Sequence, residues 1–248
     1  MYAIYYWTVL ILMEFIMLFT GLIVLLFTFP FDPMRKVVDW HSTIWAKLHY
    51  WINPCWKVHY AGGEQVRKDK PYIIISNHQS MLDIVLMYQV PRIFKWVSKK
   101  EALWIPFAGQ ALLMHRDILI RRGDKSSMKH MIKKAQYFLA RNVCVSIFPE
   151  GTRTLDGQIH RFKDGAFVVA KLTHTAILPV VMNGNFDVMP KNGYTIKAKQ
   201  HFHIKVLPEI SVEEIDKLSV KELAEKTYDL MLSEHKKIAP EKYSDGCK

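Results

Sequence analysis

The chain has 248 residues, half of them hydrophobic, which is enough for one globular domain with a full core and a smaller appendage. A formal net charge of +11 calls for an anionic partner. The basic residues are dispersed and no zinc-finger or RNA-binding motif accompanies them, so nucleic acid is set aside in favour of a membrane surface or a phosphorylated or CoA-like substrate.

Residues 2–29 are almost wholly apolar, with Glu14 the single charge. Phe15 to Phe31 is an uncharged run of 17 residues, roughly 25 Å as a helix and near the lower limit for crossing a bilayer. No basic stretch precedes it and no small-residue cleavage site follows, so a retained anchor is expected rather than a signal peptide. Glu14 is costly at mid-bilayer, which leaves a tilted, partly inserted helix beside a spanning one. If the helix spans, Arg35 and Lys36 put the body of the chain on the cytoplasmic side.

Phe29 to Pro33 reads as a turn. In Val37 to Ile52, Trp40, Ile44, Leu48 and Trp51 fall on one side at helical spacing, with Asp39, Lys47 and His49 elsewhere. With Trp45 and Trp56 nearby, this predicts an interfacial helix, the alternative being a core helix that packs its tryptophans inward. Residues 1–55 are therefore expected to form a two-helix membrane anchor, and 56–248 a separate α/β domain.

From Trp56 the pattern becomes strand, turn, strand, helix. Lys57 to Tyr60 and Tyr72 to Ser76 read as strands, the second running into Asn77-His78-Gln79-Ser80-Met81-Leu82-Asp83 and then an apolar helix. His78 and Asp83 can meet only if His78 precedes the helix and its loop folds back over the first turn. Ser80 with Asp83 three residues later also fits a helix cap, so Asp83 is either a capping acid or the partner that orients His78. There is no G-x-S-x-G elbow, so a dyad here would take its proton from a substrate hydroxyl.

Phe94 to Val97 and Ile118 to Arg122 are further strands, and Ser126 to Arg141 is an amphipathic helix with Met128, Met131, Ile132, Ala135 and Phe138 inward. The buried strand Val143 to Phe148 enters Pro149-Glu150-Gly151-Thr152-Arg153, whose N–H groups, hydroxyl and guanidinium suit a phosphate, or else form an ordinary turn with a surface ion pair. Arg161, Lys163 and Lys171 are expected to keep that area positive. Ala176 to Val181 is another strand. Tyr194 to Ala198 and His201 to Leu207 suggest an antiparallel pair. Lys217 to Lys237 is a charged helix, and the last ten residues are expected to fray. Cys55, Cys144 and Cys247 stand far apart, which favours a reducing compartment over a disulfide framework. His41, His49, His59 and His174 have no ligand spacing, so no metal is expected.

Four ordered blocks across most of residues 56–182 resemble the glycerolipid acyltransferases. They are Asn77-His78-Gln79-Ser80 with Asp83; Lys99-Lys100-Glu101 with Ile105-Pro106-Phe107 and Gly109; Phe148 to Arg153 continuing through Gly157 and Phe162 to Gly165; and Leu178-Pro179-Val180. Ala102 and Arg121 depart from the family's usual leucine and acid, and Arg121 adds charge beside the acceptor site.

The resemblance implies a mixed, mostly parallel sheet flanked by helices. It makes His78 the general base, oriented by Asp83, and puts Asn77, Ser80, Glu150, Gly151, Thr152 and Arg153 on the substrate, with help from Lys100 and Arg122. It implies no cofactor: the donor is a fatty acyl thioester of CoA or acyl carrier protein. The acceptor is the sn-2 hydroxyl of lysophosphatidic acid (1-acyl-glycerol-3-phosphate), and the product is phosphatidic acid. The N-terminal helices fit the shorter bacterial members, which implies an inner-membrane enzyme facing the cytoplasm. Another lysolipid acceptor, a thioesterase and a non-catalytic lipid-binding protein are the alternatives.

Overall fold

The computed structural model describes residues 2–121, 123–193 and 196–244. In chain order the elements are α1 (Tyr2–Thr28), α2 (Lys36–Trp51), β1 (Trp56–Ala61), β2 (Ile73–Ser76), α3 (Leu82–Met87), β3 (Phe94–Lys99), α4 (Ala108–Met114) and β4 (Ile118–Ile120). There follow α5 (Lys125–Leu139), β5 (Cys144–Ile147), α6 (Gly165–Leu172), β6 (Ile177–Asn183), α7 (Asn185–Val188), β7 (Gln200–Val206), α8 (Val212–Lys217) and α9 (Val220–Ile238).

The strands form one sheet in the order β1-β7-β6-β2-β5-β3-β4. β6, β2, β5, β3 and β4 run parallel, while β7 is antiparallel to β6 and parallel to β1. The central strands β2, β5 and β6 are buried along their whole length and mostly apolar, because both faces are covered. Ile73 and Ile75 enter the core shared with α5, α6 and α9, and Ile74 enters the opposite core with Tyr6, Tyr50 and Leu86. β7 alternates instead, burying Phe202, Ile204 and Val206 and leaving His201 exposed. Its partners are β6 and β1, not a strand at 194–198 as expected; Ile196 to Ala198 form no strand, and Tyr194 and Thr195 lie outside the described residues.

The face of α5 reads as expected, with Met131, Ala135 and Phe138 buried and Met128 and Ile132 packed against them. The helix expected over Lys217 to Lys237 is α9, which starts only at Val220 because Ser219 accepts from Glu222 N and Glu222 reaches back to Ser219 N in a full capping box, while Lys217 ends α8. Beyond α9 the chain does not fray over the described residues: Pro240–Lys242 form a further turn and Tyr243 packs beside His235. Residues 245–248, including Cys247, lie outside the described residues.

The hairpin turn forms where expected. Arg35, at φ 57°, donates to the Phe29 and Asp32 carbonyls and lies over the Phe29 ring, and Asp32 Oδ2 accepts from Val37 N. Only 11 % of the most apolar stretch of α1 is buried. In α2 the inward face is mixed, with Val38, Ala46 and Tyr50 buried beside three polar residues, while the indoles of Trp40 and Trp51 lie outside. Trp40, Ile44, Leu48 and Trp51 face outward, and Lys47, expected away from that stripe, is exposed at seven residues after Trp40 and lies on it. The inward face carries Asp39, Ser42 and His49, which meet Lys95 Nζ (2.5 Å), His115 Nε2 (2.8 Å) and the Tyr6 hydroxyl (2.8 Å). The buried polar groups of α2 are tolerated because each is paired, and the outward tryptophans are not packed inward as a core helix would pack them.

Candidate active site

At Ser76 the chain leaves the carboxyl edge of the sheet, the usual place for a site in such a fold. Because α3 starts only at Leu82, the intervening loop is free to turn His78 back over the helix. His78 Nδ1 lies 2.8 Å from Asp83 Oδ2. The same oxygen accepts from the N–H groups of Gln79 and Ser80 at 2.5 and 2.7 Å, and Asp83 Oδ1 accepts from Asn185 Nδ2 at 2.7 Å. Asp83 therefore grips the imidazole and ties down the turn at Gln79 and Ser80; the Ser80 helix cap that the sequence offered does not form, since Met81 is the N-cap and no side chain caps α3.

With Nδ1 donating to a carboxylate, the tautomer leaves Nε2 as the basic nitrogen. His78 Nε2 has no hydrogen-bond partner among the described residues, and the side chain is 14 % exposed. Its ring stacks on Phe148 at 3.9 Å and 8°, and Trp96 stacks behind Phe148 at 5.1 Å. One bond and a stacked face therefore fix both the direction and the plane of the base.

The loop after β5 lies against this one, since Thr154 N donates to the His78 carbonyl at 2.9 Å. Gly151 takes φ 73°, and a Cβ there would meet Lys163 Nζ at 3.0 Å, so the loop passes close to an ammonium only because it carries glycine. The N–H groups of Thr152 and Arg153 make no hydrogen bond among the described residues, and the half-buried Arg153 guanidinium has no partner there. Burial pulls the Arg153 pKa down while the nearby Asp83 charge opposes that. Lys191 Nζ donates to Thr152 Oγ1 at 3.1 Å. Unpaired N–H groups, a free guanidinium and two ammonium groups form a seat for an oxyanion.

Three residues expected on the substrate turn inward instead. The Asn77 amide accepts from Met182 N at 2.8 Å and donates to Met182 O at 2.9 Å, tying β2 to β6. Ser80 Oγ donates to Met189 O at 2.6 Å. Glu150, 5 % exposed, accepts from His78 N on Oε1 (2.8 Å) and from His160 N on Oε2 (3.2 Å). Burial, with the Asp83 charge adding, pushes Glu150 up to about 8 against those two bonds, so it is a neutral bracket between the two loops at pH 7.

Lys171 is drawn away from the site, its ammonium donating to the Ile215 and Leu218 carbonyls. Lys100 is exposed on the turn after β3 and has no polar contact with the dyad or the loop. Arg122 lies outside the described residues. Asn185 and Lys191 escaped the sequence reading. The available signal was Asn183-Gly184-Asn185 after β6: Gly184 has φ 98°, a Cβ there would lie 2.3 Å from His201 O, and the resulting turn aims Asn185 at Asp83. Among the described residues no group of three or more His, Cys, Asp or Glu is placed to hold a metal.

The order of these blocks along the sheet defines the class, and the chain belongs to the Acyltransferase family, whose sequence model matches residues 57–183, from β1 to the end of β6. Among relatives, 1-acyl-sn-glycerol-3-phosphate acyltransferase LPAT1, chloroplastic, of Arabidopsis thaliana is 36 % identical over 166 residues, covering 66 % of this chain and 46 % of that one. The 1-acyl-sn-glycerol-3-phosphate acyltransferase alpha of Mus musculus is 37 % identical over 150 residues, covering 59 % and 50 %. The chain spans about half the length of the curated relatives it matches. The crystal structure of the 1-acyl-sn-glycerophosphate acyltransferase PlsC from Thermotoga maritima shares the fold, with a TM-score of 0.80 over 99 % of this chain and 96 % of that one at 22 % identity.

Proposed function

We propose that the chain transfers a fatty acyl group from a CoA or carrier-protein thioester to the sn-2 hydroxyl of 1-acyl-glycerol-3-phosphate, giving phosphatidic acid and a free thiol. The observation that carries this is the free Nε2 of His78, whose Nδ1 is held by Asp83, next to an oxyanion seat at Gly151 to Arg153. His78 Nε2 takes the hydroxyl proton as the oxygen attacks the thioester carbonyl. The tetrahedral intermediate then expels the thiolate, which receives that proton back from His78. Asp83 steadies the transient imidazolium without being protonated itself. Arg153 and the two N–H groups bind the acceptor phosphate, and positioning of this kind supplies several kcal/mol of the lowered barrier. A neutral Glu150 does not repel that phosphate.

Transfer of labelled palmitate from its CoA and carrier-protein thioesters to lysophosphatidic acid tests the reading. Wild type is expected to form phosphatidic acid, His78→Ala to lose about 10³-fold or more in kcat, and Arg153→Ala to raise the acceptor KM. Wild type that acylates only a phosphate-free lysolipid, with Arg153→Ala unchanged, would leave the chemistry standing and the acceptor wrong.

The same reading seats α1 and the outer face of α2 in the inner membrane, with the α/β domain on the cytoplasmic side. Nitroxide labels at Trp40→Cys and Trp51→Cys, in a background without the other cysteines, are expected to collide more with oxygen than with an aqueous nickel chelate in vesicles. A label at Lys133→Cys on α5 is expected to do the reverse. Aqueous behaviour at positions 40 and 51 would remove α2 from the membrane.

A further inference from the structure

Gln79 follows the base directly, is wholly buried, and points away from the substrate side. Its Nε2 donates to Gly157 O at 2.8 Å and lies 3.0 Å from Nε2 of His235, in the last turns of α9. One amide hydrogen goes to the carbonyl, so the other meets His235 Nε2, which must be the unprotonated nitrogen. The proton is then on Nδ1, 2.7 Å from the Tyr243 hydroxyl, which also accepts from Ile159 N at 3.0 Å. Burial, with the Lys242 charge adding, holds His235 down at about 4, in keeping with a neutral ring.

The path does not end there. Ile159 is followed by His160, whose N–H donates to Glu150, and Glu150 accepts from the N–H of His78. A closed ring therefore runs from His78 through Gln79, His235, Tyr243, Ile159, His160 and Glu150 back to His78. Three further bonds seat the C-terminal arm of this ring: Asn183 Nδ2 to Ile238 O at 3.1 Å, Gln158 Nε2 to Lys242 O at 2.7 Å, and Lys242 Nζ to Asp187 Oδ1 at 2.5 Å. Gly157, at φ 80°, lets the loop close on that arm, since a Cβ there would lie 3.2 Å from Lys242 Cδ.

We propose that His235 and Tyr243 are positioning residues for acyl transfer, which hold the His78 loop and the Gly151–Arg153 loop in register from the C-terminal end of the chain. This rests on the transfer reading above. Neither ring hydrogen-bonds His78, so their effect passes through Gln79 on one side and Ile159 on the other. A shift of about 1 Å between base and acceptor seat costs on the order of 100-fold in rate.

The two nitrogens of His235 can be tested separately. In His235→Gln the side-chain oxygen can stand where Nε2 accepts from Gln79; in His235→Asn the amide can stand where Nδ1 donates to Tyr243. His235→Ala is expected to lower kcat by about 10- to 100-fold with donor KM little changed, while His235→Gln and His235→Asn, which each keep one of the two bonds, recover part of the rate. Melting temperatures should not follow that order. Gln and Asn variants no faster than His235→Ala, or a wild-type kcat in a folded His235→Ala, would overturn the proposal.

Hydrogen exchange gives a readout that needs no activity. His235→Ala and Tyr243→Phe are expected to speed exchange at residues 77–80 and 151–154 together, while α5 stays protected. Exchange unchanged in both loops would overturn the strut. If wild type acylates nothing yet both loops loosen in the variants, the transfer reading fails and the strut stands.

Discussion

Asp83→Asn is expected to lower kcat by about 10³- to 10⁴-fold while leaving the fold intact and both KM values within a few-fold. Asparagine keeps one carbonyl oxygen, enough to accept from His78 Nδ1 and from the N–H groups of Gln79 and Ser80 as Asp83 Oδ2 does. Its amide nitrogen would then face Asn185 Nδ2. The Asn185 amide can turn over, because its Oδ1 has no partner in the present arrangement. What asparagine cannot supply is the negative charge that stabilises the imidazolium formed when His78 takes the hydroxyl proton. Asp83→Ala separates charge from support. It leaves those three N–H donors and the Asn185 amide without an acceptor in a buried site, and is expected to destabilise the protein by several kcal/mol as well. Steady-state kinetics and unfolding on the two variants check this. An Asp83→Asn enzyme within tenfold of wild type would reduce Asp83 to a support for the turn at Gln79 and Ser80.

Much of this site was legible because its determinants are local. A β-branched run buried on both faces, followed by a histidine and, five residues later, an acid in the first turn of a helix, places the dyad through the strand end and the turn alone. The loop from Glu150 to Arg153 was legible for the same reason, as a core strand opening into glycine. What a short motif does not encode is the direction of each side chain. Asn77, Ser80 and Glu150 lie within or next to those blocks, yet their partners are Met182, Met189 and His160, supplied by strand pairings and loops distant in sequence. The outward face of α2 was readable from its indoles. Its inward face was not, because Asp39 is acceptable there only through Lys95 on β3. The capping box at Ser219 was present in the sequence as Ser-x-x-Glu, but it was hidden inside a continuous charged helical pattern.

Glu150 separates a bracket from a ligand most sharply, and pH supplies the test. Its folded pKa of about 8 lies above its ordinary value of 4.5, with burial as the leading cause. A group raised in this way contributes stability that is fully present below the unfolded value and is lost as pH rises through the folded one, because the unfolded chain ionises first. Between pH 4.5 and 8 wild type should therefore lose about 1.4 kcal/mol per pH unit relative to Glu150→Gln, which cannot ionise. Unfolding of both proteins at pH 5 and pH 7.5 is expected to show the gap moving by about 3 kcal/mol in favour of glutamine. Glutamine keeps an acceptor for His78 N but turns a donor toward His160 N, a fixed penalty of about 1–3 kcal/mol that cancels between the two pH values. Its kcat should stay within about tenfold of wild type, whereas Glu150→Ala, which frees the backbone of the base, should lose about 100-fold. If Glu150 instead held the acceptor phosphate, both variants would raise the acceptor KM and the pH-dependent gap would vanish. Such a result would return Glu150 to the substrate and break the ring that joins the two loops.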